Sequence, residues 1–316
     1  MYHTYFKFRE RPFQLVPNPA YLYQSPHHEE ALAHLTYAIT HGEGFVEITG
    51  EVGTGKTTLC RMFLESLNAD TEVAYIFNPN LSALELLKAI NDEFEIDASP
   101  DTPKELIDTL NRFLLKKRLA NKRIVLLIDE AQNLSRDVLE QLRILSNLET
   151  DTQKLLQIIL VGQPELDMMI NAHELRQLAQ RITIRCHLFP LTSKETRAYV
   201  EHRIEVASGT PRDLITPAAH KHIYRYSGGI PRLINIVCDR AFLAAYVERQ
   251  HRITAGIVQK AAKELENKNI SSRYFSPESH SHLTAVLLLL CLLLIGYIIF
   301  YPDQPNWQHI PFIHPG

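Results

Sequence analysis

Residues 44–58 read GFVEITGEVGTGKTT. An apolar run leads into a glycine-rich turn that matches G-x-x-x-x-G-K-[ST] at Gly50, Gly55, Lys56 and Thr57. The pattern carries meaning only between a strand and a helix. In that setting the loop N–H groups and the helix N-terminus together hold an anion. The run GFVEITG predicts the strand, and residues 57–67 predict the helix. Gly50, Glu51, Val52, Gly53, Thr54, Gly55, Lys56, Thr57 and Thr58 are therefore the expected nucleotide-binding stretch. Lys56 would reach the β- and γ-phosphates of ATP, and Thr57 would put its hydroxyl on Mg²⁺.

A second stretch sits where such a loop needs it. Residues 124–132 read IVLLIDEAQ, a buried strand that delivers Asp129 and Glu130 to its C-terminal end. That is the edge where α/β sheets bind ligands. Asp129 would hold Mg²⁺ through water, and Glu130 would orient and polarise an attacking water as the catalytic carboxylate. Gln163 follows the run LLQIILVG and lies beside Glu130 if those two strands are neighbours. Arg232, in GGIPRLIN, opens a helix from which a cation could reach nucleotide phosphates. Arg176, Arg181 and Arg185 cluster around the run RITIRCHL, and Arg181 is the expected arginine finger toward a neighbouring subunit.

Five apolar runs, at 44–50, 73–77, 123–129, 155–162 and 181–188, alternate with helical patterns at 57–67, 83–96, 103–119 and 135–148. Near-continuous Val/Ile/Leu runs separated by helices predict a parallel sheet covered on both faces, a P-loop NTPase-like α/β core over residues 1–190. After Pro190 the strand signals stop. Helices are expected at 193–208, from the Thr216–Pro217 cap onward, from Pro231 to about Val247, and at roughly 254–267. Residues 191–268 thus read as a small helical lid domain, and 269–282 as a polar linker.

From Leu283 to Tyr301 no residue is charged across nineteen positions. As a helix this run is about 28 Å long, close to the hydrocarbon thickness of a bilayer. Lys263, Lys268 and Arg273 precede it, and residues 302–316 hold no Lys or Arg. The positive-inside rule then predicts a single-pass inner-membrane protein, its N-terminal bulk in the cytoplasm and a short tail at 302–316 outside. No secretory signal is expected at MYHTYFKFRERPF, which lacks a continuous apolar core.

Charge narrows the function. Lys plus Arg is 33 against 36 for Asp plus Glu, a formal net charge of −3, so a chain that coats nucleic acid by charge alone is not expected. Four cysteines without CxxC spacing fit a reduced compartment, and the scattered histidines show no metal-ligand spacing.

Together these phrases resemble the AAA-type ATPases of the general secretion pathway protein A family, with relatives in pilus biogenesis and at exosortase loci. The likeness runs over roughly residues 5–265. It includes PF-x-L-x-P-x-P-x-YLY, GEGFVEITGEVGTGKTTLCR, LLIDEAQNL, LRILSNLET, KLLQIILVGQPELD, LRQLAQRIT and YSGGIPRLINIVCDRA. The resemblance implies an oligomerising ATPase, a ring or dimer, with Lys56, Thr57, Asp129 and Glu130 in the Walker positions. It matches Gln163 to the first sensor, Arg232 to the second, and puts Arg181 within the family's QRIT phrase. Gln163 departs from the Asn usual across the wider AAA class. The family's type member continues past its membrane helix into a peptidoglycan-binding domain, so an envelope role for this chain is expected to work through partner proteins.

The function expected is a membrane-anchored ATPase that assembles or remodels a secretion, pilus or polysaccharide-export apparatus. One alternative is a DNA-transaction ATPase, for which Lys116, Lys117, Arg118, Lys122 and Arg123 would be the basic patch. Another is a nucleotide-dependent switch with little turnover.

Overall fold

Val125 and Leu127 face one layer of apolar side chains while Leu126 and Ile128 face another, all four fully buried. A strand that alternates between two cores must lie in the middle of three layers. The computed structural model describes residues 1–16, 18–77, 79–96, 102–150 and 154–274, with 19 and 268–274 described by backbone alone.

Five strands form one parallel sheet: β1 (Phe45–Gly50), β2 (Thr71–Ile76), β3 (Arg123–Ile128), β4 (Gln157–Gly162) and β5 (Ile182–Leu188), in the order β2-β3-β4-β1-β5. The short helix α1 (Tyr2–Tyr5) opens the chain, α2 (Pro26–His41) precedes β1, and α3 (Lys56–Ser66) follows it. Next come α4 (Ala83–Glu93), α5 (Pro103–Leu119), α6 (Arg136–Leu145), α7 (Pro164–Ile170) and α8 (Arg176–Ala179). Leu35 of α2 and Leu59 and Phe63 of α3 cover one face, and the leucines of α4, α5 and α6 cover the other. All five expected strands form, each within two residues of its expected limits.

Beyond the sheet stand α9 (Ser193–Ser208), α10 (Pro217–Ser227), α11 (Pro231–Val247) and α12 (Ala255–Tyr274). Their limits follow local chemistry. Thr192 and Glu195 close a capping box on α9, and the Thr216 side chain caps α10 ahead of Pro217. Gly228 ends α10 in the left-handed region. A Cβ on the next residue, Gly229, would lie 1.9 Å from the Leu191 carbonyl oxygen, so only glycine fits there. The last helix runs past the expected stop near 267 as far as Tyr274, the last described residue, because no Gly or Pro stands between 267 and 274.

Residues 1–13 head the span expected to be core, and they pack on the helical bundle instead. Tyr2, Phe6, Phe8 and Phe13 surround Phe242 of α11 with ring centroids 4.9–6.0 Å away. The Arg9 N–H donates to the Ala207 carbonyl at the end of α9. Burying four aromatic rings outweighs chain order here. Among the described residues no helix is long and apolar enough to cross a membrane. The run 283–301 and the tail 302–316 lie outside the described residues, as do 275–282 of the expected linker.

One residue breaks the apolar rule inside the sheet. Glu47 of β1 is 2% exposed, and neither carboxylate oxygen has a hydrogen-bond partner. Arg185 Nε, opposite it on β5, stands 3.4 Å from Oε2. Burial lifts the carboxyl to about 7; Arg185 opposes the shift and Asp167 adds to it. A raised folded-state pKa means the folded chain holds a proton that the unfolded chain gives up above about 4.5. Its contribution is therefore full below that value and lost as pH rises through about 7. Glu47→Gln should accordingly melt close to wild type near about pH 5 and higher near about pH 8, by on the order of 1–3 kcal/mol. Thermal unfolding at the two pH values checks this, and an equal gap at both would sink it.

Candidate functional site

The loop after β1 owes its shape to two glycines with positive φ, Gly53 at 86° and Gly55 at 107°. Other residues adopt such angles only with strain. Gly53 is also crowded: a Cβ there would lie 2.6 Å from the Cβ of Arg232, whose N–H donates to the Gly53 carbonyl at 3.2 Å. The first residue pair of α11 thus rests directly on the loop, which puts Arg232 beside it. Lys56 begins α3 and is nearly buried, and its ammonium donates to the carbonyls of Gly50 (2.7 Å) and Glu51 (3.0 Å). Burial pulls its pKa down, and Glu130, Asp129 and Glu51 pull it back up.

Asp129 leaves the end of β3 fully buried. Its Oδ2 accepts from Thr57 Oγ1 at 2.8 Å and from the Tyr75 hydroxyl at 3.3 Å, and its Oδ1 accepts from the Glu130 N–H at 2.8 Å. Tyr75, on β2, was not singled out from sequence. Burial first, then the Asp129 charge, push its phenol well above the ordinary range, so it stays a donor. Glu130 has φ 53° and ψ 35°, a conformation unfavourable for a non-glycine residue by on the order of 1 kcal/mol or more. That turn aims its carboxylate back over the sheet edge.

The strand order makes β3 and β4 neighbours, so Gln163 does stand beside Glu130. The amide Nε2 of Gln163 lies 3.4 Å from Glu130 Oε2. Gln132 makes the shorter link: its Nε2 donates to the same oxygen at 2.6 Å, while its Oε1 accepts from the Gln163 N–H at 3.0 Å. Sequence reading passed over Gln132. The Asp-Glu-x-Gln spacing was the available signal, because a tight turn after the strand folds the fourth residue back over the second.

The loop, Glu130 and Gln163 open onto a cavity of about 340 Å³. The loop residues 52–58, Glu130 and Gln163 form one wall, Arg232 and Asn235 of α11 a second, and Gln14, Tyr21 and Tyr23 part of a third. The third wall was invisible to sequence reasoning. It is pinned by Arg203 of α9, 7% exposed, which donates to the carbonyls of Pro12 and Gln14 and to the Tyr199 hydroxyl. Its guanidinium also lies 4.8 Å from the Tyr21 ring centroid.

Arg181 is placed elsewhere. Phe45 pairs with Ile182, so Arg181 lies at the strand starts, about 20 Å from the loop at the strand ends. Its guanidinium donates to Ser146 Oγ at 2.8 Å. Arg176 is exposed on α8, and Arg185 is held by Glu47, Asp167 and Asn171. The basic cluster is largely used locally: Lys117 pairs with Glu72 and lies over Phe113, Lys122 donates to the Ala69 carbonyl, and Arg123 pairs with Asp70. Among the described residues no cluster of His, Cys, Asp and Glu could hold a metal by itself. A hard cation would instead draw on the Thr57 and Asp129 oxygens.

A family model described as an AAA domain matches residues 39–170. General secretion pathway protein A of Aeromonas hydrophila is 52% identical over 266 residues, a match that covers 84% of this chain and 48% of that protein. The chain therefore spans about half the length of that relative. Cdc6p of Pyrobaculum aerophilum is similar in structure, with TM-score 0.62 and 19% identity over 80% of this chain and 70% of that one. ORC2 of Aeropyrum pernix, in its ADPNP–ADP complexes, gives 0.57 and 21% over 81% and 71%. The RuvB Holliday junction branch migration motor of Thermotoga maritima gives 0.52 and 23% over 77% and 70%. At these identities the likeness is one of fold, a P-loop α/β core with a parallel sheet.

Removing the Arg203 cation tests the third wall. Arg203→Met keeps most of the volume and loses every donor, leaving the buried Pro12 carbonyl and the Tyr199 hydroxyl without it and the Gln14 carbonyl to solvent. The variant should unfold with a loss of about 2–4 kcal/mol. Denaturant unfolding measures the loss, and a change under about 0.5 kcal/mol would mean that the N-terminal segment is held by its aromatic rings alone.

Proposed function

Because the chain belongs to the secretion-pathway protein A family of AAA proteins, we propose that it binds ATP with Mg²⁺ in this cavity and hydrolyses it to ADP and phosphate. The observation that carries the reading is convergence. One cavity is lined by the phosphate loop with Lys56, by Glu130 and Gln163, and by Arg232. Thr57 Oγ1 and Asp129 Oδ2, 2.8 Å apart, are the hard oxygens that would hold Mg²⁺. The bound ion would offset charge on the phosphates. Glu130 would orient and polarise the attacking water, and Gln132 and Gln163 would fix the direction of its carboxylate. Lys56 and Arg232 would supply cations from opposite walls.

Arg181 would act in trans, as an arginine finger in a ring or dimer of this chain. Its place at the strand starts, away from its own loop, supports that reading. The apparatus served would be a secretion, pilus or polysaccharide-export system, reached through cell-envelope assembly proteins. Support comes from the 52% identity to a protein named for secretion. The anchor would be 283–301, with the ATPase on the cytoplasmic side of the inner membrane and 302–316 outside. The loss of basic residues after that run supports this orientation. Nucleic acid is not proposed as a partner, since much of the basic cluster is spent on local contacts.

Glu130→Gln should retain Mg·ATP binding and lose at least about 10²-fold in turnover, because an amide keeps the shape without the base. Lys56→Ala should instead weaken binding about tenfold or more. Mixing Glu130→Gln with Arg181→Ala subunits should restore part of the activity, since some interfaces then pair an intact Glu130 with an intact Arg181. Wild-type turnover by Glu130→Gln would remove Glu130 from the chemistry. Absence of rescue in verified mixed assemblies would remove Arg181.

Topology is checked separately. A phosphatase fused after residue 316 should be active outside the cytoplasm, and one fused near residue 270 should not. The reverse pattern would overturn the membrane assignment.

A further inference from the structure

Tyr75 of β2 pairs with Leu127 of β3, so Asp129 lies two positions further toward the strand ends. Strand residues two apart share a face. Leu127 faces the layer that includes Leu59 and Phe63 of α3, Tyr75 packs against the same layer, and Asp129 meets Thr57 of α3 on that side. Two residues advance a strand by about 7 Å. A short aliphatic side chain at 75 would stop short of that distance, and a phenol spans it. The Tyr75 hydroxyl stands 3.3 Å from Asp129 Oδ2, and since an ionised carboxylate only accepts, the hydroxyl is the donor.

The rest of the residue is held without that bond. β2 is an edge of the sheet, and the Tyr75 N–H donates to Glu93 Oε2 of α4 at 3.2 Å. Its ring lies 6.5 Å from that of Phe77. Three donors converge on the fully buried Asp129 carboxylate: the Glu130 N–H on Oδ1, and Thr57 Oγ1 and the Tyr75 hydroxyl on Oδ2. They are not interchangeable. The Glu130 N–H belongs to the next peptide and moves with the Asp129 backbone. Thr57 is itself an expected Mg²⁺ ligand, so its hydroxyl oxygen is shared with the ion. Tyr75 ties the carboxylate to a separate strand and is independent of the ligand. At 3.3 Å its bond is also the longest of the three, so it contributes less to stability than to direction.

We infer that Tyr75 is a positioning residue of the cation site: its hydroxyl holds the Asp129 carboxylate in one direction while Thr57 is engaged with the ion. The inference rests on the reading that Thr57 and Asp129 hold Mg²⁺ beside the nucleotide. Among the described residues β2 gives no side chain to the cavity wall, and Tyr75 brings that strand into the site through Asp129. Outer partners of this kind orient the ligands they touch, and their loss shows in metal affinity.

Tyr75→Phe removes the hydroxyl and keeps the ring. Binding of a fluorescent ADP analogue to the full chain is followed through a Mg²⁺ titration and repeated in excess EDTA. In the variant the Mg²⁺ concentration at half-maximal effect should rise about tenfold. Affinity in EDTA should match wild type, and the melting temperature without nucleotide or metal should stay within about 2 °C. A residue that merely supports the fold would lower both of these and leave the Mg²⁺ midpoint alone. An unchanged or lower midpoint, an equal loss of affinity in EDTA, or a variant that does not fold overturns the inference. If wild type does not bind the analogue, or binds it without regard to Mg²⁺, the reading beneath fails and the inference with it; wild type alone shows this, so the two failures are distinguishable.

Discussion

A loop of bare backbone N–H groups keeps one shape only if the strand feeding it cannot move, and β1 meets that condition. All six of its residues are buried, and it is hydrogen-bonded on both sides, to β4 and to β5. Thr49 is level with Gly162 of β4 and Gly50 with Leu188 of β5, so the loop begins at a fixed height above the sheet. Its rigidity comes from the sheet, and its curvature from the positive φ of Gly53 and Gly55. Glu47, in the middle of the same strand, makes no hydrogen bond and has only the Arg185 ion pair, which shows how much polar cost the rest of the packing tolerates.

On that base the polar groups are arranged in pairs that constrain one another. Both Asp129 oxygens accept hydrogen bonds, drawn from α3, from β2 and from the next peptide. Glu130 sits in a left-handed conformation and is steadied by two glutamines. Backbone strain at a residue that must point its carboxylate in one direction is a common feature of reactive sites. Here its source is visible, since the turn Ala131–Asn133 begins immediately after the strand.

The helical bundle touches the loop directly, through Arg232 and Gly53, and the N-terminal segment ties that bundle to the cavity a second time through Arg203. A ligand between the walls would therefore contact sheet, bundle and segment at once. The coupling needs no added device: any shift of α11 that breaks the Arg232–Gly53 contact also changes one wall of the cavity.

The sequence by itself determined the local chemistry. Buried strands declared themselves as apolar runs, helix limits as Thr216, Pro217 and Pro231, and the loop as spaced glycines before Lys56. The Asp129–Glu130 pair was legible for the same reason, a strand and its next two residues. Each of these depends on residues close in sequence. Helix α2 was missed although Ser25 and Pro26 signalled its start, because its buried face includes two small alanines, Ala31 and Ala38. Only the tertiary structure decided that β1 lies between β4 and β5, that the aromatic rings of residues 2–13 close around Phe242, and that Arg203 reaches Pro12 across 191 positions. Such contacts leave no periodic trace. They follow from which surfaces remain to be covered once the local elements exist, and that is settled by packing of the whole chain.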